Sequence, residues 1–204
     1  MNLPLRERII TEAVNITEQL GWSGVTMTAL ATRVGVSRQT IYTEVGHKQQ
    51  LAEAVVLNEL ARFLDVVTLA FDKHAPNLRN SVRAAVVNVL DFAGKNALLR
   101  AIVTSTHRSD TELLPLLTTQ SEALLTAATS LVTQRITDDC HYDADRARFI
   151  PAVSDIVVRT VLSHVMRPAG SSADVAKSLS WAVTELLVPS AAGAHGRGSI
   201  SSCK

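Results

Sequence analysis

The tetrapeptide SRQT, which begins at Ser37, places hydrogen-bonding side chains together with no large apolar residue among them. Arg38 carries a rigid fork of donors that can bond a guanine at two points. Gln39 presents a donor beside an acceptor, the pair that matches adenine, and Thr40 adds a hydroxyl and a methyl group. On the exposed first turn of a helix, such side chains can read base edges in the major groove of DNA.

Other side chains near this tetrapeptide suit the phosphate backbone rather than the bases. Tyr42 offers a phenol hydroxyl, and Lys48 offers an ammonium near the start of a helix, where the helix dipole also favours an anion. Thr26 and Thr28 can reach the opposite strand from the start of another helix. The predicted DNA-contacting residues are therefore Thr26, Thr28, Ser37, Arg38, Gln39, Thr40, Tyr42, Thr43 and Lys48.

Two short helices must position these side chains, and they are predicted over residues 27–34 and 38–44. Thr26 and Ser37 precede them as N-caps, and Gly35 lies at the turn, where the backbone needs a positive φ. Ala31 is small enough to lie beneath a close crossing of the two helices. This spacing fits a helix-turn-helix, although spacing alone leaves open a plain corner between helices of an all-α protein.

The rest of the chain also shows the apolar periodicity of helices, and we predict an all-α fold. Pro151 is expected to bend the helix in which it lies, and Asp143 or Asp145 to cap that helix. Residues 189–204 are rich in Gly and Ser without a period, so we expect them to be disordered. The further helices are predicted over residues 5–20, 48–73, 77–94, 97–106, 111–137, 144–166 and 173–188.

Composition limits the class of protein. The 204 residues are 47% hydrophobic but only 4% aromatic, so the core is expected to be aliphatic. The formal net charge of +1 neither favours nor excludes a nucleic-acid partner. Two cysteines, Cys140 and Cys203, form no disulfide framework. The chain shows no signal-peptide pattern and no apolar run of the ~20 residues that a membrane helix needs, so a soluble, cytoplasmic protein without membrane contact is expected.

The segment GVTMTALATRVGVSRQTIYTEVGHKQQL resembles the N-terminal DNA-binding domain of the tetracycline-repressor (TetR) family. The resemblance implies a DNA-binding domain over residues 1–50, an effector-binding and dimerisation domain over 51–188, and a tail over 189–204. The positions that match the family pattern are Thr26, Leu30-Ala31, Gly35-Val36-Ser37, Thr40-Ile41-Tyr42 and Lys48.

Two positions depart from the family pattern and bear on affinity. Glu44 stands where the family often has histidine or another neutral polar residue, and Val45 stands where phenylalanine is common. Residues 1–51 hold five Lys or Arg and four Glu. Few phosphates can then be neutralised, so operator binding is predicted to depend only weakly on salt concentration.

The resemblance implies that the last two long helices pair with their copies in a homodimer. A dimer also suits the physics, because one helix-turn-helix contacts few base pairs and two half-sites lie about 34–36 Å apart. The apolar faces of these helices have the alternative role of filling the core of the chain itself. The predicted interface residues are Phe149, Val153, Val157, Val161, His164, Leu179, Val183 and Leu186.

The family's effector pocket lies among the middle helices, and the resemblance places it between about residues 48 and 140. The apolar stretches there contain few charges, which favours a small hydrophobic effector. Each candidate has the alternative of being ordinary core. The predicted lining residues are Phe63, Val67, Phe71, Phe92, Leu99, Ile102, Val103 and Leu124, with His107 as a polar end.

These predictions combine into a ligand-responsive, sequence-specific DNA-binding transcriptional regulator, a repressor released from a palindromic operator by its effector. The alternatives are an all-α enzyme and a helical adaptor without DNA contact. The sequence has no nucleophile–base pair, Gly-rich phosphate loop or HExxH, so no enzyme activity and no cofactor are predicted. The segment DDCHYDAD, residues 138–145, gathers Asp, Cys and His, but it is predicted to be a polar loop rather than a metal site.

Overall fold

The computed structural model describes residues 3–96, 99, 121–139 and 142–188 of the chain. These residues form helices and connecting turns without a strand, so the predicted all-α fold is confirmed. The helices of this part are α1 (Leu5–Leu20), α2 (Met27–Val34), α3 (Arg38–Val45), α4 (Lys48–His74), α5 (Leu78–Lys95), α6 (Ser121–Asp139), α7 (Ala144–Ala147), α8 (Ile150–Met166) and α9 (Ser172–Leu187).

The predicted helix bounds agree with α1 to α5 within one residue at each end, because Gly, Pro and cap residues mark those ends in the sequence. The predicted helix 97–106, the beginning of the predicted helix 111–137 and the tail 189–204 lie outside the described residues.

The single helix predicted over 144–166 is wrong. The structure ends α7 at Ala147, forms a turn at Arg148 and Phe149, and starts α8 at Ile150. Pro151 lies in the first turn of α8, where backbone amides have no acceptor within the helix, so the missing N–H of proline costs no hydrogen bond. Pro151 therefore starts a helix and does not bend one. Asp143 Oδ1 accepts a hydrogen bond from the Arg146 amide at 2.8 Å, which confirms its predicted capping role for α7.

The chain divides into two compact units. The first takes its described residues from 1–62 and 95–122. Its hydrophobic core is built from α1, α2, α3 and the start of α4, and Leu30, Ile41 and Leu51 from three different helices are fully buried in it. A single 3-10 turn, Trp22–Gly24, connects α1 to α2 and buries the Trp22 ring in the same core. These helices are too short to be stable alone and depend on this shared packing.

The second unit takes its described residues from 63–94 and 123–204. Its core joins the end of α4 to α5, α6, α8 and α9, and it is almost entirely aliphatic, as the composition predicts. Leu78, Ile136 and Leu187 are its largest fully buried side chains. Among the residues of both units that the structure describes, no helix is long and apolar enough to cross a membrane.

Candidate nucleic-acid interface

Two capped helices and a glycine turn hold the predicted DNA-contacting residues. Thr26 Oγ1 accepts a hydrogen bond from the Ala29 amide at 3.0 Å, and Ser37 Oγ accepts one from the Thr40 amide at 3.0 Å. Both predicted N-caps are therefore confirmed. Gly35 has the left-handed φ of 77° that the sequence predicted for the turn. Each cap satisfies an amide that the helix itself leaves unpaired. Although α2 and α3 are short, they therefore have well-defined starts.

Two arginines of α1 hold the C-terminal ends of α2 and α3. Arg8 Nη2 donates to Val34 O at 2.9 Å, and Arg6 Nη1 donates to Glu44 O at 2.6 Å. The last carbonyl groups of a helix lack partners within it and form the negative end of its dipole, so a guanidinium satisfies both needs. These bonds tie both helices of the helix-turn-helix to α1 and help to fix the orientation of α3.

The first turn of α3 faces solvent. Arg38 and Gln39 are exposed side by side, while Ile41 on the opposite side of the helix is fully buried. The remaining predicted residues at this surface divide into two groups: Thr26, Thr28, Ser37 and Thr43 are exposed, and Thr40, Tyr42 and Lys48 are half-buried. None of the nine predicted residues lies in the buried core, so all are placed at or near the surface of the first unit.

The hydroxyl groups of Ser37, Thr40 and Thr43 already have partners. Ser37 Oγ and Thr40 Oγ1 lie 2.8 Å apart and hydrogen-bond to each other, and Thr43 Oγ1 donates to Gln39 O at 3.0 Å. These bonds hold the turn and the helix in place. Arg38 and Gln39 therefore supply the long polar side chains of the exposed first turn.

The turn between α3 and α4 requires glycine at position 46. Gly46 has a φ of 71°, and a Cβ built there would overlap the Gln50 side chain. Gln50 Oε1 accepts a hydrogen bond from the His47 amide at 2.8 Å, which satisfies an amide at the start of α4. The His47 ring lies edge-on to the ring of Tyr42, with their centroids 5.5 Å apart. The turn thus sets Tyr42 and the first residues of α4 relative to each other.

Most of the basic residues in the first unit stabilise the fold. Besides Arg6 and Arg8, Arg33 donates to Gln19 Oε1 at 2.6 Å and lies 3.7 Å from a carboxylate oxygen of Glu12. Arg38, on the exposed turn of α3, and Lys48, at the start of α4, are the two cations placed among the predicted DNA-contacting residues.

Sequence models of protein families match both units. The model described as "Bacterial regulatory proteins, tetR family" matches residues 9–55, which contain α2, α3 and their caps. The model described as "Bacterial Tetracyclin repressor, C-terminal domain" matches residues 77–185, more than half of the chain. The chain belongs to the TetR family. It is thus a transcriptional regulator that binds DNA through a helix-turn-helix.

Relatives of this TetR-family regulator agree with the assignment. The HTH-type transcriptional regulator AlkX of Mycobacterium tuberculosis is 28% identical over 180 residues, which are 88% of this chain and 83% of that protein. The crystal structure of the TetR family repressor AlkX of Dietzia sp. strain DQ12-45-1b, implicated in biodegradation of n-alkanes, has a TM-score of 0.68 at 23% identity, over 87% of this chain and 92% of that one. FadR of Bacillus subtilis in complex with stearoyl-CoA has a TM-score of 0.50 at 15% identity, over 88% and 97% of the two chains. Both structures share the fold of this regulator.

The described candidates for the effector pocket of this TetR-family chain lie in different environments. Phe63 and Phe92 pack edge to face with their centroids 4.7 Å apart, and Phe71 is buried in the core of the second unit. Val67 packs against that core, and Leu124 is half-buried. Leu99 is half-buried in the first unit, and Ile102, Val103 and His107 lie outside the described residues.

The predicted dimer residues separate into buried and exposed groups. Val153, Val157 and Val183 lie inside the core of the chain itself, which is the alternative role that the sequence left open. Phe149 and Leu186 are 50% and 57% exposed, while Val161, His164 and Leu179 are half-buried. The same two helices also expose Ile156, together with three large apolar side chains that were not predicted at this surface, namely Leu162, Met166 and Trp181.

Two buried polar groups were also missed. The Glu59 carboxylate is only 4% exposed, and it accepts hydrogen bonds from Arg62 Nη1 at 2.8 Å and from Asn96 Nδ2. Asn96 Oδ1 accepts a further bond from the Leu99 amide at 3.0 Å. A signal was present, because Glu59 follows Leu51 and Val55 at intervals of four on the buried side of α4.

The second missed group lies where α6 ends. Burial raises the pKa of the Asp139 carboxyl above its ordinary value, and the neighbouring Ser81 side chain opposes the shift. Burial and the charge of Asp139 together raise the pKa of Tyr142, whose hydroxyl donates to Ile136 O at 3.0 Å. In the segment 138–145, which gathers Asp, Cys and His, Cys140 and His141 lie outside the described residues. Among the described ones, no group of three His, Cys, Asp or Glu is placed to hold a metal ion.

Proposed function

We propose that this TetR-family regulator is a repressor that binds a palindromic operator as a homodimer and leaves it when a small hydrophobic effector binds. The observation that carries the DNA-binding part is the exposed first turn of α3, where Arg38 and Gln39 stand beside each other on a helix fixed at both ends. A regulator that acts on bacterial DNA would work in the cytoplasm.

Base recognition is assigned to the first turn of α3. Arg38 can bond a guanine through two of its donors, and Gln39 can bond an adenine through its amide. The hydroxyl of Thr40 is engaged with Ser37, so its methyl group is the part suited to a thymine methyl. The remaining DNA contacts are assigned to phosphates, through Tyr42, Lys48, Thr26 and Thr28, and through Thr43 once its hydroxyl turns from Gln39 O towards the DNA.

The salt dependence of operator binding should be shallow. Arg6, Arg8 and Arg33 hydrogen-bond within the unit, which leaves Arg38 and Lys48 as the cations at the proposed surface. Each neutralised phosphate adds about 0.9 to the slope of log K against log salt. A steep slope for one protomer would contradict the proposed contacts.

The proposed dimer uses the exposed sides of α8 and α9. Phe149 precedes α8 and is 50% exposed, Ile156 is 59% exposed on α8, and Leu162 and Met166, four residues apart, lie on one side of α8. Trp181 adds a large ring on α9 that is 58% exposed. Large apolar side chains exposed in this number mark an interaction surface. Residues 1–50 would then form the DNA-binding domain and residues 51–188 the domain that dimerises and binds the effector.

The proposed effector is a long-chain aliphatic compound such as an alkane derivative or an acyl-CoA. The support is the aliphatic core of the second unit and the half-buried pair of Phe63 and Phe92, together with AlkX in n-alkane degradation and FadR with stearoyl-CoA. α4 runs without interruption from Lys48 to His74, so a shift of its C-terminal part would be passed along one helix to the start of the DNA-binding surface.

A gel-shift assay with the DNA that flanks the gene of this protein tests the proposed contacts. The double variant Tyr42→Ala with Lys48→Ala should lose binding, while Arg38→Ala should change the preferred sequence more than the general affinity. Asn88→Ala, an exposed change on α5, serves as the control. An absence of binding by the unmodified protein would show that the flanking DNA does not contain the operator.

The effector is tested by thermal denaturation with stearoyl-CoA, free fatty acids, n-alkanols and sugars. The aliphatic compounds should raise the melting temperature and weaken the gel shift in the same order. A best result among the sugars would contradict a hydrophobic effector.

A further inference from the structure

The ammonium of Lys48 lies over the ring of Trp22. Lys48 Nζ is 5.5 Å from the ring centroid, within the range of a cation–π interaction. Trp22 is 2% exposed and belongs to the 3-10 turn between α1 and α2, whereas Lys48 is half-buried at the first position of α4. This contact therefore joins the turn between α1 and α2 to the start of α4.

The position of Lys48 needs a physical explanation. The N-terminus of a helix is the positive end of its dipole, so an ammonium fixed at the start of α4 is repelled by the helix that carries it. The face of an indole ring carries partial negative charge and attracts a cation. The Trp22 face thus offsets the repulsion and gives the ammonium a defined position 5.5 Å from the ring centroid.

The ring itself is held firmly. The Val25 amide donates to Trp22 O at 3.0 Å, and the Gly24 amide donates to Gly21 O at 3.1 Å, which closes the 3-10 turn. Gly24 packs so closely on α1 that a Cβ there would lie 2.6 Å from the Leu20 Cβ. A ring fixed in this way gives the flexible lysine side chain a defined resting place before any ligand arrives.

We propose that Trp22 is a positioning residue for DNA binding: its ring holds the Lys48 ammonium where it and the amides of the first turn of α4 meet one phosphate. An anion at this point is attracted by the ammonium and by the helix dipole together. The inference rests on the proposed phosphate contact of Lys48. It adds that affinity depends on a buried side chain that does not touch the DNA.

A double-mutant cycle tests this with the full-length protein and a fluorescent duplex of the DNA that flanks its gene. Lys48→Met should weaken binding and lower the salt slope by about 1 for each protomer, because one phosphate contact is lost. Trp22→Leu should weaken binding about two- to five-fold, the range of an exposed cation–π interaction. In the Lys48→Met background, Trp22→Leu should have almost no further effect.

The cycle separates positioning from a loss of core packing. A ring that only supports the fold would lower affinity by the same factor with and without Lys48, and that additivity would overturn the inference. Trp22→Phe keeps an aromatic face and should retain most of the affinity, so it completes the cycle if Trp22→Leu fails to fold. Lys48→Arg, which can stack on the ring and bind phosphate, should remain close to the unmodified protein.

The possible failures differ from one another. If Lys48→Met changes neither affinity nor slope, the proposed phosphate contact is wrong and the role of Trp22 falls with it. If Lys48→Met acts as expected but Trp22→Leu adds its own full effect, only the inference about Trp22 is wrong. If the unmodified protein does not bind the duplex at all, the proposed operator is wrong, and the same cycle on a duplex selected from random sequence decides the role of Trp22.

Discussion

The Asp139 carboxyl is expected to destabilise the fold at neutral pH. Its pKa is raised above the ordinary 3.8 because burial disfavours the charged form. At a pH below 3.8, the carboxyl carries its proton in both the folded and the unfolded chain, so it has no effect on the free energy of unfolding. As the pH rises further, the unfolded chain releases its proton first, and the folded state loses stability until the pH passes the raised pKa.

Asp139→Asn should therefore raise the free energy of unfolding at pH 7, and the gain should disappear near pH 3.8. Asparagine keeps an oxygen beside Ser81 and removes the charge. Urea denaturation at several pH values measures the effect, with the exposed neighbour change Asp138→Asn as control. A loss of stability at pH 7 would show that the charged form is stabilised in the fold.

Asn96 is expected to stabilise the fold through the Glu59 carboxylate. Asn96→Ala removes a donor from a carboxylate that is 4% exposed and also the cap on the Leu99 amide. Hydrogen bonds to charged groups contribute about 1.5–3 kcal/mol, so a loss of about 2 kcal/mol in the free energy of unfolding is expected. The exposed Asn88→Ala on α5 should cost less than about 0.5 kcal/mol in the same urea titration. Equal losses for the two variants would contradict a structural role of this contact.

The elements that were predicted best are those with local signals. Thr26, Ser37 and Gly35 mark the ends of α2 and α3 within a few residues, so the amino-acid sequence alone was enough to locate the helix-turn-helix. The break after Ala147 had no such mark, because the apolar pattern continues through it and proline is allowed in the first turn of a new helix.

Contacts between distant elements could not be predicted. Arg8 and Val34 are 26 residues apart, and nothing local tells which carbonyl a guanidinium will reach. Both sides of α8 are apolar, so periodicity does not separate Val153, which faces the chain's own core, from Ile156, which is 59% exposed. The local structure around the candidate site was therefore predictable, but the distant contacts that hold this site in place were not.

Arg8 should act on operator binding through the placement of α2 and not through phosphates. Arg8→Met removes the donor to Val34 O and leaves an aliphatic side chain of similar reach. Operator affinity should fall several-fold, while the salt slope stays unchanged because no phosphate contact is lost. Arg38→Met, on the exposed turn of α3, is the matched change of an arginine that is proposed to contact DNA. A slope lowered by about 1 in Arg8→Met would mean that Arg8 contacts a phosphate.

At the level of the whole molecule, the exposed apolar sides of α8 and α9 should be covered by a second copy of the chain. Trp181, 58% exposed, gives this surface its largest side chain, and a carboxylate there would have to be buried without a partner in a dimer. Trp181→Glu should therefore shift the protein to monomers in sedimentation velocity, with unchanged helical circular dichroism. Leu69→Glu, on α4 and 66% exposed, is the matched control and should leave the dimer intact.

Monomers should also lose cooperative binding of the operator, because each recognition helix then binds its half-site alone and the advantage of two linked contacts disappears. The fall in affinity should be much larger for a duplex with two half-sites than for one with a single half-site. Because Trp181 belongs to the second unit, the binding of a single half-site reports whether α2 and α3 remain folded. A dimer that persists in Trp181→Glu would place the interface elsewhere, and equal losses on both duplexes would show damage to the DNA-binding unit itself.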